Sequence, residues 1–292
     1  MTARDIAPDT MRRRDFRLFW LAGAVNEFGS QASGLALPIL VLAVGGSALT
    51  AGVLGTAAAV ADLVLTPFAG VVADRHSRRS MLVVSALVAG CAMGAVAAGV
   101  ATHTASLILL FCAAVVEGMA TACYAAAAAG AIRSVLPMDE PERALGALQS
   151  REQAARLVGP GLGGGLFSLA AWAPFLVDAV SYVIASVCVG SIRAGLRPDR
   201  ESGPAPTFGR DLREGLRFVR QRPFLRFVAV WAGGVNLVFG ALSLEVILVA
   251  RLRGDSAASI GAVLTMAGVA GLIGALLAPR VLSRVRAGAR RP

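Results

Sequence analysis

Five carboxylates fall inside long apolar stretches of this sequence: Glu27, Asp62, Glu117, Asp178 and Glu245. An ionisable group in a hydrocarbon setting is costly and marks an ion or substrate path. Such a carboxylate can hold a proton or a cationic ligand, or it can accept hydrogen bonds from a neighbouring helix. For Glu27 both readings stand. Asn26 and Asn236 are polar positions in two matching stretches, AGAVN at residues 22–26 and AGGVN at residues 232–236. Glu152 and Arg156 stand one helical turn apart and are expected to pair. No nucleophile–base pair is visible. The cysteines Cys91, Cys112, Cys123 and Cys188 lie inside apolar blocks with no CxxC, and only His76 and His103 could join them. The sequence therefore offers no metal cluster, no disulfide framework, no cofactor motif and no enzyme active site.

The elements that must position these residues are membrane-spanning helices. Apolar residues make up 56% of the 292, charged residues only 16%, and mean hydropathy is +0.69. A soluble domain carries about 25% charged residues. The apolar excess comes in blocks of about 20 residues, long enough as helix to cross about 30 Å of hydrocarbon. Eight spans are predicted, at residues 18–44, 51–73, 80–101, 105–132, 145–169, 174–192, 224–250 and 257–278. The fold class is an all-α membrane protein. The first block follows Arg12, Arg13, Arg14 and Arg17, and its length marks a first span rather than a short removable leader.

The net charge is +10, and every basic residue is Arg. These arginines sit between apolar blocks, which argues for cytoplasmic loops and against a nucleic-acid partner. With the N-terminus inside, the inner loops hold Arg75, Arg78 and Arg79, then Arg133, Arg143 and Arg151, then the stretch from Arg193 to Arg222. The C-terminal residues add Arg284, Arg286, Arg290 and Arg291, and only Arg251 and Arg253 break the pattern. The positive-inside rule puts both ends in the cytoplasm.

Residues 193–223 form a linker, Pro-rich at first (Pro198, Pro204, Pro206), then a basic amphipathic helix with Leu212, Leu216 and Val219 at helical spacing. That helix is expected on the inner lipid surface. The division is then residues 1–192 as a six-span half, 193–223 as linker, and 224–292 as the first two spans of a second half. Gly52 and Gly261 recur at nearly the offset of AGAVN and AGGVN. A six-span half repeated in parallel is a transporter architecture. The repeat implies that four spans of the second half are missing after Pro292.

Two motifs give this organisation a family. After the second span the chain reads GVVADRHSRR. It resembles the signature loop of the major facilitator superfamily, matched by Gly70, Asp74, Arg75, Arg78 and Arg79, with Ser77 in place of the second Gly. The fifth span reads GPGLGG. It is similar to the antiporter motif of that family at Gly146, Gly159, Pro160, Gly163 and Gly164, with Ala155 replacing one Gly. The same residues spell GxGxxG, but no strand precedes them and Pro160 occupies the turn, so no nucleotide site is expected. Ala114 stands where the family's fourth span carries Arg, a departure that puts proton coupling in doubt. The sequence looks closer to the branch of enterobactin and macrolide exporters than to tetracycline-type pumps.

The resemblance implies a helical bundle that exports a small amphipathic molecule, a drug or siderophore, by alternating access in a bacterial plasma membrane. It implies membrane lipid and a proton as further partners. Asn26, Glu27, Asp62, Asn236 and Glu245 are the candidates for the substrate or proton cavity, and the first span lines that cavity in the family. The signature loop acts there as a latch between conformations, with Asp74 at a helix N-terminus and Arg75 and Arg79 on carboxylates of neighbouring helices. Asp178 is read as structural, since relatives carry a polar residue early in this helix. Two alternatives stand beside export: a truncated, transport-inactive fragment, and a membrane scaffold that needs a partner subunit.

Overall fold

The structure, a computed structural model, describes residues 9–136, 140–196 and 217–270, apart from the side chains of residues 9–11, Asp74, Arg75 and Arg133. The described residues are helical in eight long stretches: α1 (Asp9–Ala43), α2 (Ala48–Arg75), α3 (Arg78–Ala101), α4 (Leu107–Val135), α5 (Pro141–Leu169), α6 (Ala173–Gly190), α7 (Pro223–Leu252) and α8 (Ala257–Ala270). They follow the eight expected spans in order. Most of the linker lies outside the described residues, including Leu212 and Leu216 of its amphipathic pattern. So do Arg284 and the end of the eighth span.

Local chemistry sets the helix starts. Ser47, Ser77 and Ser106 accept from the backbone N–H groups of Thr50, Ser80 and Leu109, capping α2, α3 and α4. α1 ends on Gly45, whose φ of +89° suits a residue without Cβ, and the N–H of Gly46 closes the turn on the carbonyl of Val41. α7 ends the same way: Gly254 has φ +80°, and Asp255 N–H closes on Ala250. Ser256 then caps α8 through the N–H of Ser259, as Ser47 caps α2 through Thr50. Each pair stands 209 residues apart (45 and 254, 46 and 255, 47 and 256, 50 and 259), as do Gly52 and Gly261. The repeat glimpsed in five-residue strings thus extends to a turn of matching hydrogen bonds.

Five helices, α2, α3, α4, α6 and α7, are long and apolar enough to cross a membrane. Their outer faces show Leu63, Ile108 and Val230 at 72–76% exposure, an apolar surface suited to lipid rather than water. α1 and α5 are more polar because they carry Glu27, Arg151, Glu152 and Arg156, and they turn part of that polarity toward each other. α1 packs on α5 and α6, α3 on α4 and α6, and α2 on α4. The core between them holds Met93, Leu110, Phe175 and Tyr182 at one level and Phe19, Leu82, Val189 and Ile192 at another. α7 and α8 join through Ile247, Ala257 and Ile260 against Leu35 and Ile39 of α1.

Candidate functional site

Two polar sites interrupt this core. The first joins α1 to α5. Arg151 Nη2 lies 3.1 Å from Glu27 Oε1, with the side chains only 12% and 26% exposed. Arg151 Nη1 donates to the main-chain oxygens of Phe19 (3.2 Å) and Trp20 (2.9 Å). The guanidinium lies over Gly23, where a Cβ would collide with it. One turn away, Trp20 Nε1 donates to Ala147 O at 3.0 Å. A cation with this many acceptors is held as a fork, which suits Arg and not Lys. Glu27 Oε2 and Arg151 Nε stay buried without a partner.

The second site joins α1, α4 and α6. Asp178 is fully buried, and Ser33 Oγ donates to its Oδ2 at 2.6 Å. Ser30 Oγ donates to Asp178 Oδ1 at 3.4 Å and lies 3.0 Å from the Tyr182 hydroxyl. Tyr182 in turn donates to Glu117 Oε1 at 3.3 Å. Ser181 Oγ donates to the main-chain oxygen of Asp178 at 2.7 Å. Two carboxylates are therefore linked through two hydroxyls, and among the described residues no ion pair reaches either of them.

Between the sites lies a cavity of about 20 Å³ lined by Asn26, Ser85, Thr121, Tyr124 and Tyr182, among others. The Asn26 amide oxygen is buried there with no hydrogen-bond partner. A polar cavity of about this size suits a single water molecule. The larger grooves, about 530 and 440 Å³, are lined almost wholly by apolar side chains and hold no carboxylate or arginine.

Of the expected cavity residues, Glu27 joins the first site and Asn26 lines the small cavity, while the rest lie elsewhere. Asp62 is half-buried on α2, where Thr66 Oγ1 donates to its main-chain oxygen. Asn236 is exposed, donating to Ala232 O of its own helix at 2.8 Å, and Glu245 is also exposed. Arg151, counted with the inner loop by sequence, is inside α5 and paired to Glu27. Glu152 and Arg156 do pair, at 2.7 Å. Sequence reasoning missed the Arg151 pairing and the roles of Ser30, Ser33 and Tyr182. The unpaired Glu27 could have pointed to Arg151, since a buried charge needs a partner; nothing in the spacing pointed to the hydroxyls.

In the signature loop, the side chains of Asp74 and Arg75 lie outside the described residues. Arg79 donates to the main-chain oxygens of Ile192 and of Ala194, the latter at 3.0 Å, and the Arg78 N–H donates to Leu196 O at 3.1 Å. Arg79 thus holds carbonyls after α6 rather than a carboxylate. Buried Asp15 accepts from the N–H groups of Arg193 and Ala194 on the same segment. Gly70 has open space beside it.

The glycines of α5 do different work on two sides. A Cβ at Gly159 would strike Gln31, and one at Gly163 would strike the carbonyl of Ala32, both on α1. A Cβ at Gly164 would strike the carbonyl of Ala257 on α8, and Gly261 of α8 faces the carbonyl of Pro160. Ser168 Oγ accepts from Ala258 N–H across the same seam at 2.9 Å. Gly146 touches neither helix.

Residues 19–292 match the Major Facilitator Superfamily. Over 214 residues the chain is 26% identical to macrolide efflux protein A of Streptococcus pyogenes, covering 70% of this chain and 51% of that protein. It is 28% identical over 166 residues to macrolide efflux protein A of Enterococcus faecalis, covering 54% and 49%. It is 24% identical over 159 residues to multidrug resistance protein 2 of Bacillus subtilis (strain 168), covering 53% and 38%. The chain spans about half the length of the macrolide efflux relatives it matches.

Proposed function

The chain belongs to the Major Facilitator Superfamily, and from that premise we propose that it acts in secondary active export of a small amphipathic molecule across a bacterial plasma membrane. Members of this family are transporters rather than enzymes, and the protein is a multi-pass membrane protein. The relatives' names support efflux as the direction. The arginine-rich loops support cytoplasmic ends for the chain and contact with lipid headgroups.

The observation that carries this reading is the seam between α5 and α8. Backbones meet there at Gly164, Ala257 and Gly261 with no long side chain between them. Small-residue contacts let helices approach closely and hold by packing alone. The seam crosses from the six-helix part, residues 1–192, to the part beginning at residue 224, with 193–223 as the linker between them. Rocking of one part on the other about this seam would open a path first to one side and then to the other. The Glu27–Arg151 pair stands beside that path on α1 and α5. A cationic group on the cargo would compete with Arg151 for Glu27, whereas a neutral cargo would leave the pair intact. The signature loop, with Arg79 on the segment after α6, would keep the inner ends of α3 and α6 together while the seam moves.

The test is uphill movement of a fluorescent amphiphile in proteoliposomes containing the purified protein. Export against a gradient, collapsed by a protonophore, is the expected result. In Gly164→Val the seam cannot close, and at least a tenfold fall in rate is expected with the protein still folded. Equal rates in Gly164→Val and the parent would remove the seam from the mechanism. Downhill leakage alone would remove export.

A further inference from the structure

We propose that Glu117 and Asp178 form a proton site in which a single proton is shared through the hydroxyls of Tyr182 and Ser30. Its use in transport rests on the export reading; its existence rests on geometry alone. Three oxygen–oxygen gaps separate the two carboxyl groups: Glu117 to Tyr182 at 3.3 Å, Tyr182 to Ser30 at 3.0 Å, and Ser30 to Asp178 at 3.4 Å. The two hydroxyls bring one hydrogen each, and two hydrogens cannot fill three gaps. Two further hydroxyls nearby already donate: Ser33 to Asp178 Oδ2, and Ser181 to the main-chain oxygen of Asp178 at 2.7 Å, with Asp178 Oδ1 at 3.4 Å as its longer second contact.

One added proton completes the chain in either direction. Placed on Glu117, it is donated to Tyr182, which donates to Ser30, which donates to Asp178. Placed on Asp178, every bond reverses. Passing between the two states moves one proton from the α4 carboxyl to Tyr182, the Tyr182 hydrogen to Ser30, and the Ser30 hydrogen to Asp178. The negative charge moves the opposite way, so atoms and charge balance. Without the proton, two like charges would face each other in an apolar core with a gap unfilled, which low dielectric makes costly.

A second observation points to the same ligand. The buried, unpartnered oxygen of Asn26 lines the small cavity that Tyr182 also lines. A water there would give a hydrogen to Asn26 beside the Tyr182 side chain. Further titratable or charged groups on the surrounding helices include Glu27, held by Arg151, Asp15 on α1, Asp62 on α2, Arg78, Arg79 and Cys91 on α3, Cys112, Cys123 and Tyr124 on α4, Glu152 and Arg156 on α5, and Cys188 on α6. Among the described residues no ion pair joins a cation to either of the two carboxylates. A metal cation fits less well, because the oxygens are joined in series rather than around one centre.

Infrared spectroscopy of the purified protein reads this directly through the carbonyl stretch of protonated carboxyl groups. Glu117→Gln and Asp178→Asn each place an amide donor at one end of the chain, fill the third gap and expel the proton. Either change alone is expected to remove the same band, of one carboxyl's intensity, and the double change is expected to remove no more. Tyr182→Phe and Ser30→Ala cut the chain while keeping both acids, and either should split one titration into two. Two separate bands, one lost with each acid and adding in the double variant, would overturn the proposal. So would the absence of any such band in the parent, or its displacement by sodium. Ser30→Ala serves if a carboxyl variant fails to fold. Normal export with two independent bands would count against the shared proton alone; the expected bands without export would count against the export reading alone.

Discussion

The same bundle holds buried carboxyl groups in two ways. Glu27 is balanced by a cation: Arg151 reaches it from α5 and is fixed by two carbonyls of α1. Glu117 and Asp178 face hydroxyls only. The first arrangement is complete in charge, so it behaves as a structural tie that competition must break. The second is complete only when something positive joins it. Glu27 and Ser30 stand on successive turns of α1, so the contrast arises between side chains that share one helix.

The largest effect is expected from breaking the first arrangement. Arg151→Met strands Glu27, and losing one partner of a buried pair costs about 3–5 kcal/mol. Thermal unfolding in detergent would show it, and Arg151→Lys should recover only part, since an ammonium cannot span two carbonyls and a carboxylate together. Gly23→Val presses a side chain into the guanidinium, with an expected loss of about 1–3 kcal/mol by overpacking in the same assay. At the second arrangement, Asp178→Ala removes the acceptor on which Ser30, Ser33 and Ser181 converge, an expected loss of about 1–3 kcal/mol. The smallest effect belongs to a pair at the surface: Glu152→Ala removes the 2.7 Å bridge to Arg156, with an expected change within about 0.5 kcal/mol. Reversal of this order between Arg151→Met and Asp178→Ala would erase the contrast between the two sites.

Much of this was legible in sequence where the signal is local. Apolar blocks marked the eight helices because a span must be long and continuous. The glycines of GPGLGG marked a close contact because only small residues let backbones meet, and Gly163 and Gly164 do so on two different helices. Contacts between distant residues were not legible. Tyr182 and Glu117 stand 65 positions apart, and Ser30 and Tyr182 stand 152 apart. Their meeting depends on the rotation and register of three helices, which no spacing within one helix encodes. Arg151 was counted with the inner-loop arginines although the predicted span 145–169 already contained it; its partner on α1 is what spacing within one helix does not encode. Asn236 and Glu245 are exposed among the described residues, and composition does not say which way a helix is turned.

A double-mutant cycle on Glu27 and Arg151 tests the contrast most directly, by unfolding of Glu27→Gln, Arg151→Met and the double variant in detergent. The expected result is a coupling of about 3 kcal/mol, with the double variant more stable than Arg151→Met alone. Losses that simply add would contradict it, and would leave Glu27 as an unpaired carboxylate no different in kind from Glu117 and Asp178.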